Sequence, residues 1–162
     1  MAYERPGLDE YFMGFARQAA ARATCDRGRS GAVIVLDKQV VRTGYVGAPR
    51  GLPHCDEVGH LIRKITYEDG TVHEHCVRTA HAERNAIVQA AKDGVAIKGA
   101  TLYCKMEPCL ACATDIINAG IVRVVAEYRY HGAELSRDWF RVAGVQLNVM
   151  NDKEASYDQK GE

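Results

Sequence analysis

The sequence predicts an α/β fold with three layers, α/β/α, around a mixed sheet of about five strands. Three observations carry this. Two apolar, strand-like segments near the start are separated by a short polar turn. After residue 80, helix-like and strand-like segments alternate. The strand-like runs are short and apolar, whereas the helix-like runs repeat their apolar residues with helical period. Strand–helix–strand–helix–strand requires right-handed crossovers and a parallel half-sheet, and the front hairpin adds antiparallel pairing.

Leu8 to Ala23 is rich in Ala, with Phe12, Phe15 and Ala19 on one helical face. Gly31 to Leu36 reads as a buried strand. Asp37-Lys38 turns the chain into a second strand, Gln39 to Tyr45. Val46 to Arg78 is a long polar segment, which in a compact domain is either functional or held by something. A helix follows from His81 to Lys92, with Thr79 as its expected N-cap. Ala100 to Cys104 is a strand. Cys109 to Asn118 is a helix ended by Gly120, with Pro108 expected at its first position. Ile121 to Ala126, Glu134 to Ala143 and Val145 to Val149 complete the pattern as strand, helix and strand. Residues 1–150 are read as a single domain and 151–162 as a frayed, polar tail.

The chain has 162 residues, 47% of them hydrophobic, which is enough for a full core. Lys+Arg and Asp+Glu both total 21, so charge gives no argument for nucleic acid or membrane binding. No apolar run approaches the ~18 residues of a membrane span. The N-terminus lacks a charged start followed by an apolar stretch, so no signal peptide is expected and the default location is cytoplasmic. Six cysteines are then thiols or metal ligands, not disulfides.

The chemistry lies in two short motifs, His81-Ala82-Glu83 and Pro108-Cys109-Leu110-Ala111-Cys112. His81, Cys109 and Cys112 offer one imidazole and two thiolates for a tetrahedral zinc and leave its fourth position open, as a catalytic site needs. Zinc lowers the pKa of bound water to roughly 7. Glu83 is the acidic residue of the first motif and the candidate proton carrier. Near a helix start, His81 and Glu83 can reach one site although they lie about 200° apart around the axis. Two helix N-termini aimed at one metal favour thiolates there. The competing reading is a structural metal or a redox pair, but the two motifs together are far more specific than either alone.

A second cluster of ligand-type residues occupies the long polar segment. Cys25, Cys55 and Cys76 accompany several histidines, and a structural zinc held by Cys25, Cys55, His73 and Cys76 would pin that segment to the first helix. His60 and His75 compete with His73 for the fourth position, and free thiols with surface histidines are the alternative. Cys104 sits in a strand as an inert thiol. Asn85 is expected to hydrogen-bond locally. Arg29 and Arg50 are candidate phosphate binders, with solvated surface charge the equal alternative. Tyr128 and Tyr130 are candidate pocket residues.

The spacing H-x-E with P-C-x-x-C is the signature of zinc nucleobase deaminases. Over residues 8–149 the chain resembles the deoxycytidylate (dCMP) deaminase family, within the cytidine deaminase-like fold. The resemblance rests on Gly31 to Val35, Gly44 to Gly51, His81 to Ile87, Pro108 to Cys112, Ile116 to Ile121 and Tyr130-His131. The segments Gly51 to Cys55 and His73 to Cys76 are similar to bacterial members that carry an additional zinc. The resemblance implies deamination of dCMP to dUMP, a homo-oligomer (hexamer or dimer), and dCTP and dTTP as effectors. Family members usually have Asn where this chain has Val46, and that Asn contacts the sugar. Val offers no side-chain hydrogen bond, and Ser30 replaces a usual valine. Sugar recognition or substrate identity is therefore the open point. The alternatives are another small base or nucleotide (modified dCMP, CMP, cytidine or guanine), tRNA adenosine, or nucleotide sensing without turnover. Neutral charge disfavours the tRNA reading, and an intact Glu83 disfavours the sensor.

Overall fold

A computed structural model describes residues 1–67 and 69–155. Its elements are α1 (Leu8–Ala20), β1 (Gly31–Leu36), β2 (Gln39–Tyr45), α2 (Cys55–Val58), β3 (Ile62–Thr66), β4 (Val72–Cys76), α3 (Ala82–Asp93), β5 (Thr101–Met106), α4 (Leu110–Asn118), β6 (Arg123–Tyr130), α5 (Glu134–Ala143) and β7 (Gln146–Ala155). The main sheet has five strands in the order β2-β1-β5-β6-β7. β1 pairs antiparallel with both β2 and β5, whereas β5–β6 and β6–β7 are parallel. This is the mixed α/β sheet expected from the sequence.

Strand alternation sends side chains to opposite faces and so builds two cores. Phe12, Met13 and Ala16 of α1 pack on Val33, Val35, Tyr103 and Val125. On the other face, Ala32, Ile34, Leu102, Val124 and Ala126 meet Ala86 of α3, Ile116 of α4 and Phe140 of α5. Asp37 and Lys38 both adopt positive φ (51° and 59°), so the β1–β2 hairpin closes through a two-residue turn that follows the strand twist.

Two glycines let helices approach the sheet closely. A Cβ on Gly31 would lie 2.3 Å from the Ala16 carbonyl oxygen of α1. A Cβ on Gly44 would lie 2.3 Å from the Ala82 carbonyl oxygen and 2.5 Å from the Ala86 nitrogen of α3. The second contact presses the start of α3 against β2.

The structure departs from the sequence expectations in two stretches. The segment from Val46 to Arg78 is not a plain loop. It contains α2 and a separate two-stranded sheet, β3–β4, in which Ile62 pairs with Cys76 and Thr66 with Val72. None of the residues in either strand is buried, so the burial signal that reveals a strand in sequence is missing. At the other end, β7 runs beyond Val149 to Ala155, with Glu154 opposite Arg129 and Ala155 opposite Tyr130. The boundary expected at 150 therefore falls inside a strand. Its polar residues lie along an edge strand, whose outer side faces solvent. The rest of the expected tail, 156–162, lies outside the described residues. Among the described residues, no helix is long and apolar enough to cross a membrane.

Candidate active site

His81 and Cys109 are the N-caps of α3 and α4, one residue before each helix begins. The expected starts, Thr79 as cap and Pro108 at the first helical position, are each two residues early. Ala80 exchanges backbone hydrogen bonds with Gly47, which keeps the approach to His81 extended. The two helix starts are locked together. Arg84 Nε donates to Asp115 Oδ2 at 2.8 Å, linking α3 to α4. Asn85 Nδ2 donates to the Tyr45 carbonyl at 2.7 Å, linking α3 to the end of β2. Asn85 thus makes the local contact expected of it.

His81 Nδ1 lies 3.5 Å from Cys109 Sγ and 3.4 Å from Cys112 Sγ. An imidazole nitrogen and a thiolate on one tetrahedral zinc stand roughly 3.6 Å apart, so the three donors already have the spacing of that metal. Cys109 is pulled down to about 3, first by the hydrogen bond from Cys112 and then by His81. The same contact, with burial, pushes Cys112 well up. One proton is therefore shared between two close thiols, and binding of a cation would expel it. Burial opposes a charge on His81, but the Cys109 contact outweighs it and raises the group.

Glu83 is only 3% exposed, and its Oε2 lies 3.8 Å from Cys112 Sγ. Burial raises its pKa above the ordinary carboxylate value, with His81 opposing. A carboxyl in this position binds a proton more readily than an exposed one and can pass it to a neighbour. Cys104 is fully buried, donates to the Met106 carbonyl and has its pKa raised by burial, which fits the inert role expected.

A cavity of about 290 Å³ opens above His81. Val46, Thr79, Tyr130 and His131 line it, and Val72 to Cys76 of the β3–β4 hairpin form its opposite wall. Val46 is 5% exposed, with its N–H on the Ser30 carbonyl and its own carbonyl accepting from Thr24. Of the four residues expected at the substrate, Val46 and Tyr130 reach this cavity. Arg29 does not: its guanidinium forms a pair of hydrogen bonds to Asp56, at 3.0 and 3.1 Å, and also reaches the Ala23 carbonyl. Arg50 is exposed in the loop after β2, away from the cavity lining. Arg27 does line the cavity and donates to the Glu74 carbonyl at 3.1 Å. The sequence reading missed it, and its only signal was its place beside Cys25. His75 also lines the cavity, with its Nε2 buried and without a hydrogen-bond partner.

The second cluster forms, with one correction. Cys25, Cys55, His60 and Cys76 bring their ligand atoms within 4.8 Å of one another. His73, the favoured fourth ligand, is not among them. On β4, residues two apart share a face and neighbours do not, so Cys76 and His73 point to opposite sides. His73 instead stacks on His131, with ring centroids 5.7 Å apart. His60 precedes the hairpin on the exposed side of the cluster, with Nδ1 3.6 Å from Cys25 Sγ and Nε2 2.9 Å from Asp26 Oδ1. A carboxylate on the outer nitrogen leaves Nδ1 facing the thiols, the usual arrangement of a ligating histidine. Burial and the neighbouring thiols push Cys55 up to about 12. Cys76 is held at about 7, because hydrogen bonds from Leu61, Arg78 and Cys55 outweigh its burial.

The family profile described as "Cytidine and deoxycytidylate deaminase zinc-binding region" matches residues 6–128. The chain belongs to that family. It is 37% identical to the ComE operon protein 2 of Bacillus subtilis over 157 residues, covering 97% of this chain and 78% of that one. It is 42% identical to the deoxycytidylate deaminase of Mycobacterium phage D29 over 126 residues, covering 75% and 94%. Its structure is similar to that of dCMP deaminase from the cyanophage S-TIM5 in complex with dCMP and dUMP. There the TM-score is 0.72 and the identity 28%, covering 91% of this chain and all of that one. A zinc-binding deaminase domain of the dCMP deaminase family therefore surrounds the cavity, and its Cys/His donors suit Zn2+.

Proposed function

We propose that the chain catalyses hydrolytic deamination of dCMP to dUMP, with His81, Cys109 and Cys112 as zinc ligands and Glu83 as proton carrier. The observation that carries this is the convergence of a buried carboxyl and three zinc-spaced donors, of which His81 lines the cavity. The phage relative in complex with dCMP and dUMP supports the choice of substrate. Zinc held there supplies the Lewis acidity that makes hydroxide available at neutral pH. Glu83 accepts the proton of the attacking water and passes it to N3 of the pyrimidine. With the water oxygen bonded to C4, Glu83 takes the second proton from the new C4 hydroxyl and delivers it to the amine; the C4–N bond breaks, ammonia leaves and the C4 carbonyl of dUMP forms. Water is consumed, and dUMP and ammonia are formed. Tyr130 and Val46 contribute the cavity walls. Val46 gives the sugar an apolar contact and no hydrogen bond.

Three further assignments belong to this proposal. A structural zinc on Cys25, Cys55, His60 and Cys76 ties α2 and β4 to the end of α1, supported by the 3.5 Å spacing of Cys55 and Cys76. The chain assembles with copies of itself, supported by the exposed Leu61, Ile62, Ile65, Tyr67 and Val72 on and beside the hairpin. It works in the cytoplasm, where six cysteines persist without forming disulfides, with dCTP and dTTP as effectors as the family resemblance implies.

The test is ammonia release from dCMP, CMP, deoxycytidine, methylated dCMP, guanine and a tRNA anticodon stem, with and without dCTP and dTTP. Turnover of dCMP above the others is expected, and absence of turnover on every monophosphate would sink the assignment. Metal analysis of the fully loaded protein should find two zinc per chain. One equivalent would remove the structural zinc, and light scattering of a monomer would remove the assembly.

A further inference from the structure

We propose that the ion pair between Glu107 and Arg137 is a positioning device for substrate: it fixes the Tyr130–His131 wall of the cavity and so sets substrate affinity without touching substrate. The inference rests on the reading that this cavity takes the nucleotide. Glu107 is 1% exposed and stands just past β5, two residues before Cys109. Such a carboxylate is tolerated only when fully paired. Its Oε1 accepts from Arg137 Nη2 at 2.6 Å and from the Tyr130 N–H at 3.1 Å. Its Oε2 accepts from Arg137 Nε at 2.7 Å. Arg137 Nη2 also donates to the Tyr130 carbonyl at 3.2 Å. Both polar backbone atoms of Tyr130 are thus held by one ion pair, whose carboxylate is buried and whose guanidinium is 38% exposed, and the fork geometry of the guanidinium fixes its direction as well as its distance.

A second observation points to the same residue. Gly132 follows two residues later, and a Cβ there would lie 2.8 Å from Tyr130 Cε1 and 2.9 Å from Cζ. The phenol ring therefore folds back over Gly132, where an added side chain would push it aside. His131, between the two, stacks on His73 of the hairpin, so the placement of this stretch also sets one cavity wall against the other. Stability does not explain the charges, because a well-packed apolar pair commonly serves as well as a buried ion pair. What the pair adds is a single position for the Tyr130 peptide, at the end of β6 and beyond its last pairing with β5, Met106 opposite Tyr128.

Steady-state kinetics on dCMP test this with Glu107→Gln, Gly132→Ala, Tyr130→Ala, the double variant Glu107→Gln/Tyr130→Ala, and the apolar pair Glu107→Met/Arg137→Met. Glu107→Gln and Gly132→Ala should each raise KM roughly tenfold, with kcat and zinc content close to wild type. The apolar pair should melt near the wild-type temperature and still show the raised KM. The double variant should bind no worse than Tyr130→Ala alone, because Glu107 acts through Tyr130. An unmoved KM in Glu107→Gln and Gly132→Ala, or full additivity in the double variant, overturns the proposal. Loss of zinc in step with activity also overturns it, because the pair would then be holding Cys109. A wild-type protein with no turnover of any deoxynucleotide sinks the functional reading and takes this inference with it.

Discussion

Gly44→Ala is the substitution whose effect the fold defines most sharply. The added methyl would sit 2.3 Å from the Ala82 carbonyl oxygen and 2.5 Å from the Ala86 nitrogen, both in the backbone of α3. Neither atom can rotate away. Ordinary contact requires about 3.4 Å, so α3 or β2 must retreat by roughly 1 Å. Overpacking of this kind costs about 1–3 kcal/mol. For a domain of this size that is a fall in Tm of roughly 2–12 °C. The displaced end of α3 carries His81 and Glu83, and a 1 Å misplacement can cost about 100-fold in rate. Scanning calorimetry, zinc analysis and ammonia release together check the chain of reasoning. Gly14→Ala is the control, since a Cβ there meets nothing within 4 Å. Placed inside α1, it should leave activity unchanged and gain a little stability. Near-normal turnover and zinc content in Gly44→Ala would show that the close β2–α3 contact does not set the site.

Glu83→Gln should keep its zinc and lose at least about 100-fold in kcat, the lower end of what a positioned proton carrier contributes; a near-normal rate removes the role given to Glu83. Val46→Asn should strengthen dCMP binding by roughly two- to tenfold through one added hydrogen bond, read as KM for dCMP against CMP. An unchanged preference among sugars means that position 46 does not govern recognition. The third prediction concerns Asp9, whose pKa is lowered chiefly by the Arg123 hydrogen bond, against burial and with help from Tyr103. Its folded pKa lies below its unfolded value near 3.9, so its contribution is present above that pH and fades as pH falls through the folded value. Melting curves from pH 3 to 7 should show the gap between wild type and Asp9→Asn closing on the acid side. A gap that ignores pH refutes the linkage.

The parts legible in sequence are those where burial writes a period. β1, β5 and β6 are apolar runs because both faces are covered, and α3 and α4 carry their donors at helix starts that Gly94 and Gly120 help to end. The grouping of His81, Cys109 and Cys112 was legible because the two motifs together match a known zinc signature. The β3–β4 hairpin was not, because its alternating residues face no core. His60 was passed over for His73 because spacing along the chain cannot say which face of β4 a ligand uses. Glu107 carried no signal, since its meaning depends on Arg137 and Tyr130, which are distant in sequence. The partner of Arg29 was illegible for the same reason: Asp56 pairs with it across a loop.

The exposure of the hairpin also bears on how the molecule opens. A two-stranded ribbon with no buried residue gains almost nothing from the hydrophobic effect, so its closed state depends on a few cross-links at its base. In amide exchange of the unassembled, metal-free chain it should lose protection well before the central strands, whose opening requires global unfolding. Because the same ribbon forms one wall of the cavity, ligand entry and the earliest local unfolding event would follow a single coordinate. A protease that samples rare openings would then report on access to the active site.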